Sequence, residues 1–279
     1  PHYPEQPNGD FKDAYSDLEM PRRSYARVVS TVDAQIGRVM KALEKSGQRE
    51  NTIIIFSSDN GHSEENNKGI SVDDHASGYP KGHYYLANGG GGFTGKWIGR
   101  KNTYLEGGLR VPAILSYPKQ LPQGEVRDQT VTVMDWLPTL VDLIGLPKPK
   151  AHLDGHSMIS IINNPTAPTQ HSVLHFDWKD NWAVREGDWK LQWNDASGNL
   201  SIKLFDLSKD PGEYHDVATK HPDLAQRLQN KFDTWDSPMP DSRPWGGPGN
   251  RNRAHAKGHR VNVADFNRNP PNRAPAKVR

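Results

Sequence analysis

The chain of 279 residues contains no cysteine. Disulfides, zinc–thiolate centres and a cysteine nucleophile are therefore excluded among these residues. The redox compartment stays open, because a cysteine-free chain is permitted anywhere. There is no apolar run approaching the roughly eighteen residues of a membrane-spanning helix. The sequence starts at Pro1, with neither a charged leader nor an apolar signal segment behind it, so any targeting signal is expected upstream. Charge of one sign is also scarce overall: 35 Lys and Arg against 33 Asp and Glu give +2. That balance hides an asymmetry. From Ser237 onward nine Lys and Arg face two Asp, about +7, which leaves the body at about −5.

What is present is enough for one large domain or two smaller ones, with eight Trp, nine Tyr and seven Phe as core material. The segment 22–45 repeats Tyr25, Val28, Val29, Val32, Ile36, Val39, Met40 and Leu43 at spacings of three and four, which predicts a helix with one apolar stripe. Ile53-Ile54-Ile55-Phe56 then reads as a strand buried on both faces, ending in the polar turn Ser57-Ser58-Asp59-Asn60-Gly61-His62. Helix followed by buried strand predicts an α/β fold. A polar stretch from Ser63 to Lys96 carries His75, His83, Tyr84 and four consecutive glycines at 89–92. A second buried strand is predicted over Val111–Tyr117, and a helix over Asp135–Ile144 with Asp135 as its cap and Gly145 as its stop. Beyond Pro165 the texture changes to four short strand-like runs (172–176, 182–185, 189–193 and 202–206) and an amphipathic helix over Asp223–Trp235. The predicted division is 1–164 as α/β domain, 165–236 as a small antiparallel-sheet-plus-helix subdomain, and 237–279 as a basic tail too poor in large apolar residues to bury a core.

Three places carry candidate chemistry. Asp59 and Asn60 follow a strand's carboxyl end, where α/β sheets hold ligands, and they are hard oxygen donors suited to Ca²⁺ or Mg²⁺. Lys101, in Gly99-Arg100-Lys101, is a compact cation suited to sulfate or phosphate. His2, held in Pro1-His2-Tyr3-Pro4, is suited to proton transfer or anion contact. Read singly, each also fits a bland role: an ordinary turn, a solvated lysine, a loop histidine. Glu106 and Arg110, in Glu106-Gly107-Gly108-Leu109-Arg110-Val111-Pro112, read as architecture.

Taken in order, these segments resemble the formylglycine-dependent sulfatases of the alkaline-phosphatase-like superfamily. Thr52-Ile-Ile-Ile-Phe-Ser-Ser-Asp-Asn-Gly61 is similar to that family's second metal-binding segment. Gly99-x-Lys101 with Glu106-Gly-Gly-x-Arg-Val-Pro112 is similar to its next one, and Pro1-His-x-Pro4 before Arg22-Arg-x-Tyr25 to its histidine segment. Asp135-x-x-Pro-Thr139, Asp154-Gly-x-Ser157, Val184-Arg-x-Gly-x-Trp-Lys190 and Leu204-Phe-Asp-Leu-x-x-Asp-Pro-x-Glu213 are also family-like. The resemblance implies a sandwich with a mostly parallel central sheet and a small C-terminal subdomain. It implies that Asp59 and Asn60 complete a Ca²⁺ site (Mg²⁺ in some members), and that Lys101 and His2 contact the sulfate and its leaving group. His62, His75 and His83 become candidates for substrate binding. It implies a sulfated carbohydrate or aryl sulfate ester as substrate, with a periplasmic or extracellular location. The family's nucleophile segment and its Asp-Asp pair precede the histidine segment, and neither is in this sequence. The formylglycine and the other metal ligands are therefore expected upstream, and the chain alone is expected to be inactive. The rival readings are a phosphatase or phosphodiesterase of the same superfamily and a non-catalytic Ca²⁺ or sulfated-glycan binder. The basic tail invites an anionic partner, a sulfated polysaccharide in preference to nucleic acid, although a merely solvated tail is the favoured reading.

Overall fold

The structure, a computed structural model, describes residues 9–19, 22–62, 72–73, 83–84, 92–178, 181–193 and 201–238, with the backbone alone at 72–73, 83–84 and Trp178. His2, His75, the glycines at 89–91, the turn at 194–199 and the tail after Pro238 lie outside these residues. The chain divides into two compact units. The first holds 1–93 and 110–172, and the second holds 94–109 and 173–279.

In the first unit, α1 (Arg22–Lys45) forms where the 3.6-residue periodicity places it. Its stripe is only partly covered. Val28 is buried, whereas Val29, Val32, Ile36 and Val39 stay exposed, Val39 at 60%. Strand β1 (Ile54–Ser57) carries the Asp59 turn at its end. The two-residue strands β2 (Val72–Asp73) and β3 (His83–Tyr84) pair antiparallel. In the second unit, α2 (Glu106–Leu109) is a single helical turn. Back in the first, β4 (Ala113–Ser116) pairs antiparallel with β1, Ile55 opposite Leu115 and Phe56 opposite Ile114.

This pair corrects the expectation that both strands are buried on two faces. Phe56 is 38% exposed and Ile114 59%. Among the described residues β1 and β4 make a sheet of two strands. Such a ribbon has too few neighbours to cover both faces. The α/β class holds, but no parallel ladder occurs among the described strands.

Helix α3 (Trp136–Ile144) ends on Gly145, whose φ of 69° is the left-handed conformation that suits glycine at a helix stop. Helix α4 (Ile159–Asn163) follows. A small core gathers Tyr117, Leu121 and Leu143, with Ile53, Leu115, Ile159 and Ile162 packed on it.

The second unit is a four-stranded antiparallel sheet in the order β5 (Leu174–Trp178), β6 (Asn181–Glu186), β7 (Trp189–Trp193), β8 (Ile202–Asp206), closed by α5 (Pro222–Asp236). Register fixes the faces, because neighbours across a ladder share a side. Val184, Leu191 and Leu204 stand opposite one another and join Leu228 and Phe232 of α5 in the main core. One residue along, Arg185, Lys190 and Phe205 are opposite one another on the other face. That face is covered too, because Lys190 is fully buried. No helix among the described residues is long and apolar enough to cross a membrane.

Candidate functional site

The turn after β1 brings Asp59 and Asn60 together. Ser58 Oγ donates to the Asn60 carbonyl at 3.0 Å and Asn60 Nδ2 donates to the Gly61 carbonyl at 2.8 Å, so the turn closes on itself. Asp59 is exposed, and its carboxylate makes no hydrogen bond or ion pair to any described residue. The Asn60 amide spends its N–H on the backbone, and its oxygen takes no donor from any described residue. Two uncommitted hard oxygens on adjacent residues fit a Ca²⁺ or Mg²⁺ ion, though they would fill only part of a shell of six to eight. Among the described residues no group of three or more His, Asp or Glu converges as a metal site.

His62, two residues on, is half-buried against Gly92 and near Tyr25 of α1. A Cβ on Gly92 would collide with the His62 side chain and lie 3.6 Å from the Tyr25 ring. That is a packing position. His83 lies in β3, its backbone opposite Asp73.

Lys101 belongs to the second unit and sits at the apex of a tight turn. Thr103 closes that turn: its N–H and its hydroxyl both donate to the Arg100 carbonyl, at 3.1 and 2.7 Å, and its Oγ1 accepts from the Arg100 N–H at 3.1 Å. Asn102 takes a positive φ of 70°. Lys101 is half-buried and has no ion-pair partner among the described residues. A fixed backbone carrying an uncommitted ammonium suits contact with an anion.

The turn is held from below by an ionic cluster that the sequence does not announce. Glu106 is 2% exposed and Lys190 fully buried. Lys190 Nζ lies 2.8 Å from Glu106 Oε1 and 2.8 Å from Glu213 Oε1, and Arg185 Nη1 lies 3.3 Å from Glu106 Oε2. The backbone N–H of Glu106 donates to Glu213 Oε2 at 2.6 Å. Burial holds the Glu213 carboxyl above its ordinary range, against the pull of Lys190. Glu213 also has a φ of 56°, an uncommon conformation for a residue with a side chain. Gly107 and Gly108 let the loop wrap closely. A Cβ on Gly107 would lie 2.6–2.8 Å from the carbonyls of Trp97, Ile98 and Gly99.

The first unit contains a buried carboxylate of its own. Asp135 does not cap α3 with its side chain. It accepts the N–H of Thr132 at 2.7 Å and of His156 at 2.8 Å, and it holds His171 Nε2 at 2.8 and 2.9 Å. The only sequence signals for these two clusters were charged residues in apolar or glycine-rich settings. Apart from Thr132, three residues before Asp135, their partners lie tens of residues away.

Residues 1–146 match the sulfatase family, and residues 95–236 match the family described as N-sulphoglucosamine sulphohydrolase, C-terminal. The chain belongs to the sulfatase family. The second match begins almost where the second unit does, at Thr94. An uncharacterized sulfatase of Schizosaccharomyces pombe is 31% identical over 230 residues, spanning 73% of this chain and 41% of that protein. The N-acetylglucosamine-6-O-sulfatase of Bacteroides thetaiotaomicron is 25% identical over 245 residues, 79% of this chain and 37% of that one. The crystal structure of Ps i-CgsB in complex with k-i-k-neocarrahexaose superposes with a TM-score of 0.66 at 26% identity, covering 84% of this chain and 48% of the other. This sulfatase chain thus spans about two fifths of the length of those curated relatives.

Proposed function

We propose that this chain supplies the cation-closing and leaving-group residues of a sulfuric ester hydrolase acting on sulfated carbohydrate. The observation that carries the proposal is the Asp59–Asn60 turn, whose oxygens are uncommitted within a segment matching the sulfatase family. Asp59 and Asn60 would hold Ca²⁺, with Mg²⁺ as the substitute. When bound, such an ion offsets the charge of the sulfate oxygens. Lys101 would contact the sulfate and stabilise the departing oxygen by its charge, and its rigid turn limits the reorganisation this needs. His2 would donate the proton that the departing oxygen acquires. With no cysteine and no Ser-x-Pro-Ser-Arg run in the sequence, the formylglycine that serves as this family's nucleophile would come from outside these 279 residues.

Carbohydrate is favoured by two relatives: one is named for N-acetylglucosamine-6-sulfate chemistry, and the other was solved with an oligosaccharide. For His75 and His83 a substrate-binding role rests on their position between two family segments. His62 is the weakest of the three, since it packs against Gly92. A periplasmic or extracellular site of action accompanies this reading. The proposed domain plan keeps a basic tail from residue 237 as a separate segment.

Two measurements test the proposal. The 279-residue chain should show no turnover of a chromogenic aryl sulfate, and clear turnover would place a nucleophile within it. Calorimetric titration should detect weak Ca²⁺ binding, with Kd on the order of 0.1–1 mM as in exposed, incomplete sites. Asp59→Ala should abolish that binding. Binding that survives this substitution would remove Asp59 from the cation site.

A further inference from the structure

The second unit has a groove that none of the residues considered so far uses. It lies between edge strand β5 and helix α5, has a volume of about 450 Å³, and is lined by Val173, His175, Arg227, Asn230, Lys231, Thr234 and Trp235. That size falls within the usual range of small-ligand sites. The helical residues recur at spacings of three and four, so they form one stripe along α5.

The lining is chemically mixed in a particular way. His175 and Trp235 stack with ring centroids 4.9 Å apart and planes 4° apart, making a rigid aromatic wall. Two cations stand on the same helix stripe, Arg227 and Lys231. Both pair with Glu186 at the end of β6, Lys231 at 3.1 Å, which holds them in place. One carboxylate offsets only one of the two charges, so the rim keeps a net positive charge. Arg227 and Lys231 together have more N–H donors than one carboxylate can accept. Asn230 and Thr234 add an amide and a hydroxyl. His175 Nε2 is buried and has no hydrogen-bond partner.

We infer that this groove binds a sulfated saccharide, as a secondary site for the class of molecule proposed above as substrate. The ligand's class rests on that reading, whereas the groove's geometry does not. The aromatic wall offers a sugar ring an apolar surface. Asn230 and Thr234 offer its hydroxyls hydrogen bonds, and Arg227 and Lys231 offer its sulfate charge-assisted ones.

Fluorescence anisotropy of a fluorophore-labelled heparin hexasaccharide on the full chain tests the inference, with unsulfated maltohexaose as control. Saturable binding of the sulfated probe alone is expected. Arg227→Gln with Lys231→Gln should weaken it at least about tenfold, the loss of one charge-assisted hydrogen bond or more. Both side chains are surface-lying, so unfolding is not expected, and circular dichroism checks this. Neutralising Arg251, Arg253, Lys257 and Arg260 to Gln should have the smaller effect. Three results would overturn the inference: no binding by the wild type, equal binding of maltohexaose, or affinity that follows the tail substitutions and ignores Arg227 and Lys231. Such a failure would leave the Ca²⁺ and turnover tests untouched, so the two readings can fall separately.

Discussion

At the scale of single residues, the most informative side chain is Lys190. A fully buried ammonium is tolerated because two carboxylates lie 2.8 Å from it. Removing it would leave Glu106 and Glu213 buried, with Arg185 of the described residues reaching Glu106 at 3.3 Å and not Glu213. Lys190→Met should therefore cost about 3–5 kcal/mol in urea unfolding. Adding Glu213→Gln should restore part of that loss, since the stranded charge goes with it. His175 gives a prediction of a different kind. Burial pushes its imidazole below the ordinary value of 6.5; the Lys231 charge adds to this and a hydrogen bond to the Lys231 backbone opposes it. With the folded value depressed, the unfolded chain binds the extra proton first as pH falls. This residue's contribution to stability is thus complete above about 6.5 and shrinks as pH drops below it. Arg227, Lys231 and Glu186 are the charges around it. The wild type should lose stability more steeply than His175→Gln between pH 7 and 5, and parallel profiles would contradict the assignment. Legibility at this scale was uneven. The turns that carry Asp59, Asn60 and Lys101 were readable because short-range signals mark them: a strand's end and a glycine-bearing segment. Glu106 was readable only as architecture, because Lys190 is 84 residues away. Asp135 was read as the cap of α3, yet its side chain closes a capping box with Thr132 and binds His156 and His171; the Thr132 contact is local, whereas nothing local signals the two histidines.

At the scale of elements, the loop from Trp97 to Leu109 decides how Lys101 is held. Its turn is closed by Thr103, its far end is the single helical turn α2, and α2 is fixed to the sheet by Glu106. Gly107 is the contact that permits this. Gly107→Ala would press a methyl group against three carbonyls, displacing α2 and destabilising the second unit by roughly 1–3 kcal/mol. Hydrogen exchange should show faster exchange of the Gly107 amide, which otherwise bonds to the Ile98 carbonyl at 2.7 Å. Unchanged protection there would mean that the loop is held by other contacts. The antiparallel sheet was legible almost strand for strand, because β6 and β7 meet at a Gly187 turn and alternate in register. Both faces of β7 are buried, one under α5 and the other over the ionic cluster, so its two-faced burial comes from polar as well as apolar partners. At β1 the sequence expectation failed. Its run of β-branched residues reads as doubly buried, but its environment is a two-stranded ribbon with Phe56 exposed. Composition reports what a strand is able to bury; the neighbours decide what it does bury.

At the scale of the whole molecule, sequence order carried the family assignment. Each motif fits an ordinary turn or strand when read singly, and it is their succession that the family match over 1–146 and 95–236 reflects. The central claim is that these residues supply the cation-closing and leaving-group part of a sulfatase. The most direct test is a chimera in which residues 1–236 replace the matching segment of the Bacteroides N-acetylglucosamine-6-O-sulfatase, with formylglycine formation and Ca²⁺ both verified. Turnover of N-acetylglucosamine-6-sulfate is expected. Lys101→Ala and Asp59→Ala should each lower kcat/KM by at least about a hundredfold, the usual scale for removing one electrostatic stabiliser. A folded, Ca²⁺-replete chimera with no turnover, or one indifferent to both substitutions, would contradict the claim.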